Sequence, residues 1–279
     1  MVTVSTMARS SSSRDISFDT DFGPARIRWD GPRATLFLGD VESSAVDTSD
    51  PTYLEFEYMQ HMDAVVSSLW GPQDRFRALH VGGAACALAC AWSSSHPQSR
   101  HVAVEVDRLL AEQVREHFPI PKAPQVKIRV GDGRAVLDGT REGSFDVIVR
   151  DAFASGVTPD HLRTVECADQ VRRALTASGV YLVNCAHGGP ANARQDVAAL
   201  QDVFPFVASI QDPKVGRGGR RGNVVALASA ADVVDVDQID RALRMLALPA
   251  RITRPADLAR WVAGTPALTD SQVGYPQAD

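Results

Sequence analysis

Ala78-Leu79-His80-Val81-Gly82-Gly83-Ala84-Ala85-Cys86 is the stretch on which the fold turns. A short, mostly apolar run of strand length gives way at once to small residues. Such residues let the backbone pass close to a ligand, and they open a helix whose N-terminus favours negative charge. Taken alone, the run has a second reading, tight packing at a strand-to-helix turn. Residues further along the chain must decide between the two.

Downstream, runs of strand character recur at 101–106, 126–130, 145–149 and 179–184, with segments of helical length between most of them. Strand and helix in alternation predict a parallel sheet covered on both faces. Two more β-rich stretches, 204–210 and 223–227, flank the loop carrying Arg217, Arg220 and Arg221 among glycines, and predict an antiparallel pair at the sheet edge. The expectation is a seven-stranded, mostly parallel sheet. Upstream, residues 25–29 and 34–38 alternate around Asp30-Gly31-Pro32, which is turn chemistry, so a small β-hairpin unit is expected. Asp50-Pro51-Thr52 then predicts a helix start, with Tyr53, Phe56, Met59, Met62, Val65, Val66 and Leu69 at helical spacing until Gly71-Pro72. Residues 1–14 are Ser-rich with few apolar anchors, and read as a disordered lead. The units are thus 1–14, a β-rich unit at 15–50, the α/β domain at 51–270, and a tail at 271–279.

Composition limits the function classes. The 279 residues are 44% hydrophobic and 23% charged, ample for a sizeable core, and Gly and Pro show no short repeat. No apolar run approaches the roughly 20 residues that cross a bilayer, and the start is not a secretory signal, so a cytoplasmic protein without membrane partners is expected. Four cysteines without a CxxC pair predict free thiols and no metal site. With 34 Asp and Glu against 29 Lys and Arg, the net charge of −5 argues against a nucleic-acid partner. Trp29, Trp70, Trp92 and Trp261 are scattered, as core anchors are.

Ligands in such sheets bind at the carboxyl ends of the strands, where strand order reverses. Gly82 and Gly83 follow the first strand. The second ends in Val104-Glu105-Val106-Asp107, and a carboxylate at Glu105 can accept from both hydroxyls of a ribose. The third runs into Gly131-Asp132-Gly133, where the backbone can bend close to a flat base and Asp132 can accept from an exocyclic amine; an ordinary turn is the other reading. In the fourth, Asp151 follows the apolar run Val147-Ile148-Val149 and Arg150, which puts it at the sheet's carboxyl edge facing the first three loops.

The order Gly-Gly loop, Val-Glu-x-Asp, Gly-Asp-Gly, Phe145-Asp146-Val147-Ile148-x-x-Asp151, then Leu175-x-x-x-Gly179-x-Tyr181-Leu182-Val183 resembles the nucleoside-binding core of Rossmann-like, class I methyltransferase-fold proteins. More narrowly it is similar to the polyamine aminopropyltransferases, the spermidine synthase family. Asp151-Ala152-Phe153 with Thr158-Pro159-x-His161-Leu162-x-Thr164 resembles a divergent branch of that family, and Glu55-Phe56-x-Tyr58 and Leu268-Thr269-Asp270 are consistent with it. The resemblance implies that Glu105 holds the ribose and Asp132, with Gly133, the adenine of S-adenosylmethionine or decarboxylated S-adenosylmethionine. Gly82 and Gly83 would line the methionine-derived tail, Asp151 would take the proton of an attacking amine, and Tyr58 and Gln60 would meet the acceptor. It also implies a homodimer.

Departures from the family pattern accompany the matches. The family's Gly-Gly-Gly-Asp-Gly loop ends here in Ala84-Ala85-Cys86, its second acid three places beyond the catalytic one is Ala154, and its Tyr-x-Glu-Met becomes Tyr58-Met59-Gln60-His61. Each missing carboxylate removes about 1 kcal/mol or more of attraction for a dication, so putrescine is a poor candidate. Three functions follow from the resemblance: aminopropyl transfer to a small-molecule amine, methyl transfer from S-adenosylmethionine, or nucleoside binding without catalysis. Glu55, Glu57, Tyr58 and Glu166 lining the pocket would favour a cationic amine; Arg150 and apolar side chains would not.

Overall fold

The computed structural model describes residues 14–154, 156–215, 220–231 and 233–276. Four antiparallel strands form the first sheet: β1 (Arg14–Thr20), β2 (Gly23–Asp30), β3 (Arg33–Leu38) and β4 (Val41–Asp47), in the order β1-β2-β3-β4. The expected hairpin is therefore the inner half of a meander. Its outer strands escape notice in the sequence because β1 alternates polar and apolar residues with little burial and β4 is rich in Ser and acid. Residues 1–13 of the expected disordered lead lie outside the described residues, and Arg14 belongs to β1.

The helix expected from Asp50 begins later, as α1 (Glu57–Leu69). Asp50 instead closes a turn, accepting from the backbone N–H and the hydroxyl of Thr52 through its side chain and from the Tyr53 N–H through its carbonyl. An Asp that satisfies nearby backbone in this way competes with helix formation.

The second sheet carries the alternation. In chain order it contains β5 (Arg77–Val81), α2 (Ala87–Ser95), β6 (Arg100–Glu105), α3 (Arg108–His117), β7 (Val126–Val130), α4 (Gly133–Asp138), β8 (Phe145–Arg150), α5 (Val165–Ala174), β9 (Leu175–His187) and α6 (Ala193–Val203). Then come β10 (Phe206–Gln211), β11 (Gly222–Ser229), α7 (Val236–Arg244), β12 (Arg251–Thr253), α8 (Pro255–Val262) and α9 (Asp270–Val273). The spatial order is β12-β10-β11-β9-β8-β5-β6-β7. β5 through β9 pair in parallel, and β10, β11 and β12 add antiparallel ladders.

The sheet thus has eight strands rather than seven, and β10 is not its edge. The extra strand, β12, is three residues long with one apolar side chain, too short to show an alternating pattern. Part of the Arg217–Arg221 loop lies outside the described residues, but the antiparallel pairing of β10 and β11 makes the connection a hairpin.

Side chains alternate between the two faces of the sheet, as the pleat requires. Val147 and Val149 of β8 join α1, α2 and α7 on one face, whereas Ile148 faces α4, α5, α6 and α8 on the other. The meander packs Ala25, Ile27, Ala34 and Leu36 on Ala85, Cys86 and Ala89 at the start of α2 and on Leu110 and Val114 of α3. Asp21, in the β1–β2 turn, accepts from the backbone N–H of Arg108 and Leu109 and so caps α3. No helix among the described residues is long and apolar enough to cross a membrane. From β5 the chain steps outward through β6 to β7, then returns to β8 on the opposite side of β5. The crevice between the carboxyl ends of β5 and β8 is the topological switch point.

Candidate active site

At that switch point the backbones of β5 and β8 nearly touch. The N–H of Asp151 donates to the Val81 carbonyl at 2.8 Å. Gly82 has φ +96°, and a Cβ there would lie 2.2 Å from the Asp151 carbonyl oxygen. Only glycine fits. Gly133 is crowded by a side chain instead, since its Cβ would lie 2.4 Å from Cγ1 of the buried Val81. Both glycines line the cavity described below, but what demands glycine is the closeness of protein to protein.

The loop after Gly83 is strained. Ala84 and Cys86 have φ of +37° and +57°, each a left-handed conformation that costs a residue with a Cβ of order 1–3 kcal/mol. Ala85, where the family pattern has an acid, is fully buried against the meander. Glu105 holds this loop in place: Oε2 accepts from the N–H groups of Gly83 (3.2 Å) and Ala84 (2.9 Å), and Oε1 from that of Asp107 (3.1 Å).

Asp132 caps α4 through Oδ1, 2.9 Å from the Ala135 nitrogen, and its Oδ2 lies 3.0 Å from Nε2 of His161. The His161 ring stacks on Tyr275 at 5.5 Å between centroids. Tyr275 in turn lies under the Arg134 guanidinium, which makes a buried bidentate pair with Asp270. The C-terminal segment therefore steadies the residue that meets Asp132.

Asp151 is gripped from two sides. The Tyr58 hydroxyl donates to Oδ2 and the Asn184 side-chain amide to Oδ1, both at 2.8 Å. Burial raises the Asp151 pKa above the ordinary carboxylate range, and the hydrogen bonds from Asn184 and Tyr58 offset only part of that rise. Burial and the neighbouring carboxylate push the Tyr58 phenol far upward, so it stays protonated as a donor. Arg150 turns away to the α6 face, where it pairs with the buried Asp196 at 2.7 Å. Its charge does not face the site.

Glu105, Asp132 and Asp151 converge on one cavity of about 430 Å³, together with Gly82, Gly83, Gly133 and Tyr58. That volume is within the ~300–1,000 Å³ of small-molecule sites. Among the described residues lining it there is no Lys or Arg, and a fourth acid, Glu42, is contributed by β4. Gln60 does not reach the cavity. Because α1 starts only at Glu57, Gln60 is in its first turn and its amide donates to the Leu54 carbonyl at 2.7 Å. Glu55, Glu57 and Glu166 are also outside the lining, whereas Phe56, Met59 and Phe153 belong to it.

Sequence reasoning left Asn184, His161 and the wall at Val41–Ser44 off the list of functional residues. Asn184 carries a related signal, a polar side chain directly after the run Val180-Tyr181-Leu182-Val183 within β9. The β4 wall has no local signal, because it reaches the cavity only through long-range packing.

No family model matches the chain. Among curated proteins, the polyamine aminopropyltransferase of Vibrio vulnificus is 26% identical over 110 residues, covering 39% of this chain but only 37% of that protein's length. The crystal structure of a probable spermidine synthase from Corynebacterium glutamicum superposes with a TM-score of 0.84 at 32% identity, covering 91% of this chain and 96% of that one. Human methyltransferase-like protein 13, solved with SAH, shares the fold alone, with a TM-score of 0.56 at 17% identity over 77% of this chain and 96% of its own. The doubly wound sheet, the acids at three of its strand ends and a full-length likeness at 32% identity agree, and the chain belongs to the spermidine synthase-like family, the polyamine aminopropyltransferases of class I methyltransferase fold.

Proposed function

We propose that the cavity binds an S-adenosyl sulfonium, decarboxylated S-adenosylmethionine in first place, and that Asp151 accepts the proton of an amine to which the aminopropyl group is transferred. The observation that carries this reading is the convergence of Glu105, Asp132 and Asp151 on a single cavity, with Asp151 clamped by Tyr58 and Asn184. The names of the Vibrio and Corynebacterium relatives support aminopropyl transfer, and the SAH held by the human neighbour supports an adenosyl thioether.

The residues present fit such a ligand. Glu105 and Asp132 face the cavity from the ends of β6 and β7, as ribose and base require. Four acids and no Lys or Arg in the lining favour a cationic tail over one bearing a carboxylate. When bound, the sulfonium supplies an electrophilic carbon and leaves as a neutral thioether. An alkylamine is protonated near neutral pH and has no lone pair to attack with. The Asp151 carboxylate takes that proton as the C–N bond forms and the C–S pair returns to sulfur. Tyr58 and Asn184 keep the carboxylate aimed, and most of the acceleration comes from alignment.

A second reading, methyl transfer from S-adenosylmethionine, draws on Ala85: the acid that would repel a methionine carboxylate is missing. Calorimetric titration with decarboxylated S-adenosylmethionine, S-adenosylmethionine and methylthioadenosine separates the two. The decarboxylated compound is expected to bind at least about tenfold tighter than S-adenosylmethionine, a difference of about 1.4 kcal/mol. The reverse order makes methyl transfer the better reading, and no binding by any of the three removes the nucleoside site.

Two further outcomes follow. Glu105→Gln gives up the charge that fixes two loop amides and would hold the ribose, so methylthioadenosine should bind about 10- to 100-fold more weakly by the same titration. Asp151 must be ionised to accept a proton. Its raised pKa therefore places the rising limb of the pH–rate profile above the ordinary carboxylate range, and that limb should vanish in Asp151→Asn.

A further inference from the structure

The proposed reaction leaves the acceptor open, and the surroundings of Asp151 narrow it. The Asp151 carboxylate and the Tyr58 hydroxyl oxygen offer acceptors for one ammonium group. Around them the wall is apolar. Phe56 stacks on Tyr58 at 5.9 Å between centroids, Met59 follows on α1, and Ala152, Phe153 and Ala154 continue from Asp151.

The other three acids of the cavity are placed elsewhere. Glu105 is bound to the amides of Gly83 and Ala84, Asp132 to the α4 N-terminus and His161, and Glu42 belongs to β4 of the meander, which packs on α2. A second ammonium lodged against Phe56, Met59 or Phe153 would find no carboxylate on those side chains, and burying an unpaired charge against apolar groups is heavily penalised.

We infer that the acceptor is a primary monoamine with an apolar body, an alkyl- or arylalkylamine, and not a diamine. One carboxylate neutralises one ammonium, and the aromatic and thioether side chains cover the rest of the molecule. Ala154 is the position that sets this choice. It lines the cavity and is exposed, so a longer side chain there displaces no core residue.

This inference rests on the aminopropyl reading, and its test keeps the two apart. Butylamine, hexylamine, phenethylamine and 1,4-diaminobutane are titrated calorimetrically into the protein saturated with methylthioadenosine, and each is then offered with decarboxylated S-adenosylmethionine, the products being read by mass spectrometry. Hexylamine or phenethylamine should bind at least about tenfold tighter than 1,4-diaminobutane, about 1.4 kcal/mol, and give the N-aminopropyl product. Ala154→Asp should move the ratio at least about tenfold toward the diamine. If methylthioadenosine binds and the diamine equals or exceeds the monoamines, the monoamine assignment is overturned while the nucleoside site stands. A ratio unmoved by Ala154→Asp overturns it as well. Failure of methylthioadenosine to bind removes both.

Discussion

Asp151→Asn is expected to slow aminopropyl transfer about 10²- to 10⁴-fold, the range spanned by a single positioned acid or base. Asn keeps the shape and can still bond Tyr58 and Asn184, but it cannot take a proton. Methylthioadenosine should still bind, because Glu105 and Asp132 are untouched. The same substitution should stabilise the protein near neutral pH. Burial raises the Asp151 pKa in the folded state above its unfolded value, so the stability this group contributes is complete below the unfolded pKa and is lost as pH rises through the folded one. Removing the charge removes that loss. Rapid-quench turnover and thermal melts at pH 7 and pH 4 check both halves: a variant that retains its rate, or that melts lower than the wild type at pH 7, contradicts the role assigned to Asp151.

Gly82→Ala carries the largest expected loss of stability. Its Cβ would lie 2.2 Å from the Asp151 carbonyl oxygen and 2.9 Å from the Ala152 Cα, both backbone atoms that cannot swing aside, and its φ of +96° is foreign to alanine. Strain of about 1–3 kcal/mol adds to overpacking of about 1–3 kcal/mol, so a total of roughly 2–6 kcal/mol is expected. Gly143→Ala supplies the comparison: its φ is +63° with nothing within 4 Å of the added carbon, so only about 1–2 kcal/mol should be lost. Urea denaturation of the two variants measures the difference, which is the energetic signature of β5 and β8 meeting at the switch point. Equal destabilisation would mean that the strand ends are further apart than the structure places them.

Much of the site was legible because its chemistry follows apolar strands. Glu105 ends β6, Asp151 follows β8 and Asp132 is in the Gly-Asp-Gly turn after β7, and polar residues at the carboxyl ends of parallel strands are brought to the crevice by the topology. Gln60 was paired with Tyr58 by resemblance alone, but two helical positions turn it about 200° from Tyr58, and its amide is taken by the Leu54 carbonyl. β1, β4 and β12 escaped because their burial comes from pairing and long-range packing rather than from their own alternation. Arg150 shows the opposite lesson. Adjacent to Asp151 in sequence, it faces the other side of the sheet and spends its charge on Asp196.

The wall at Val41–Ser44 belongs to the meander, whereas the three convergent acids belong to the doubly wound sheet. One wall of the cavity is thus encoded on a different tract of polypeptide from its reactive groups. Residues at the start of one strand, β4, can retune which guest is admitted while the proton acceptor and its clamp keep their alignment. An engineer seeking a new guest has a compact region in which to diversify, well apart from the strand ends whose close approach tolerates almost no change.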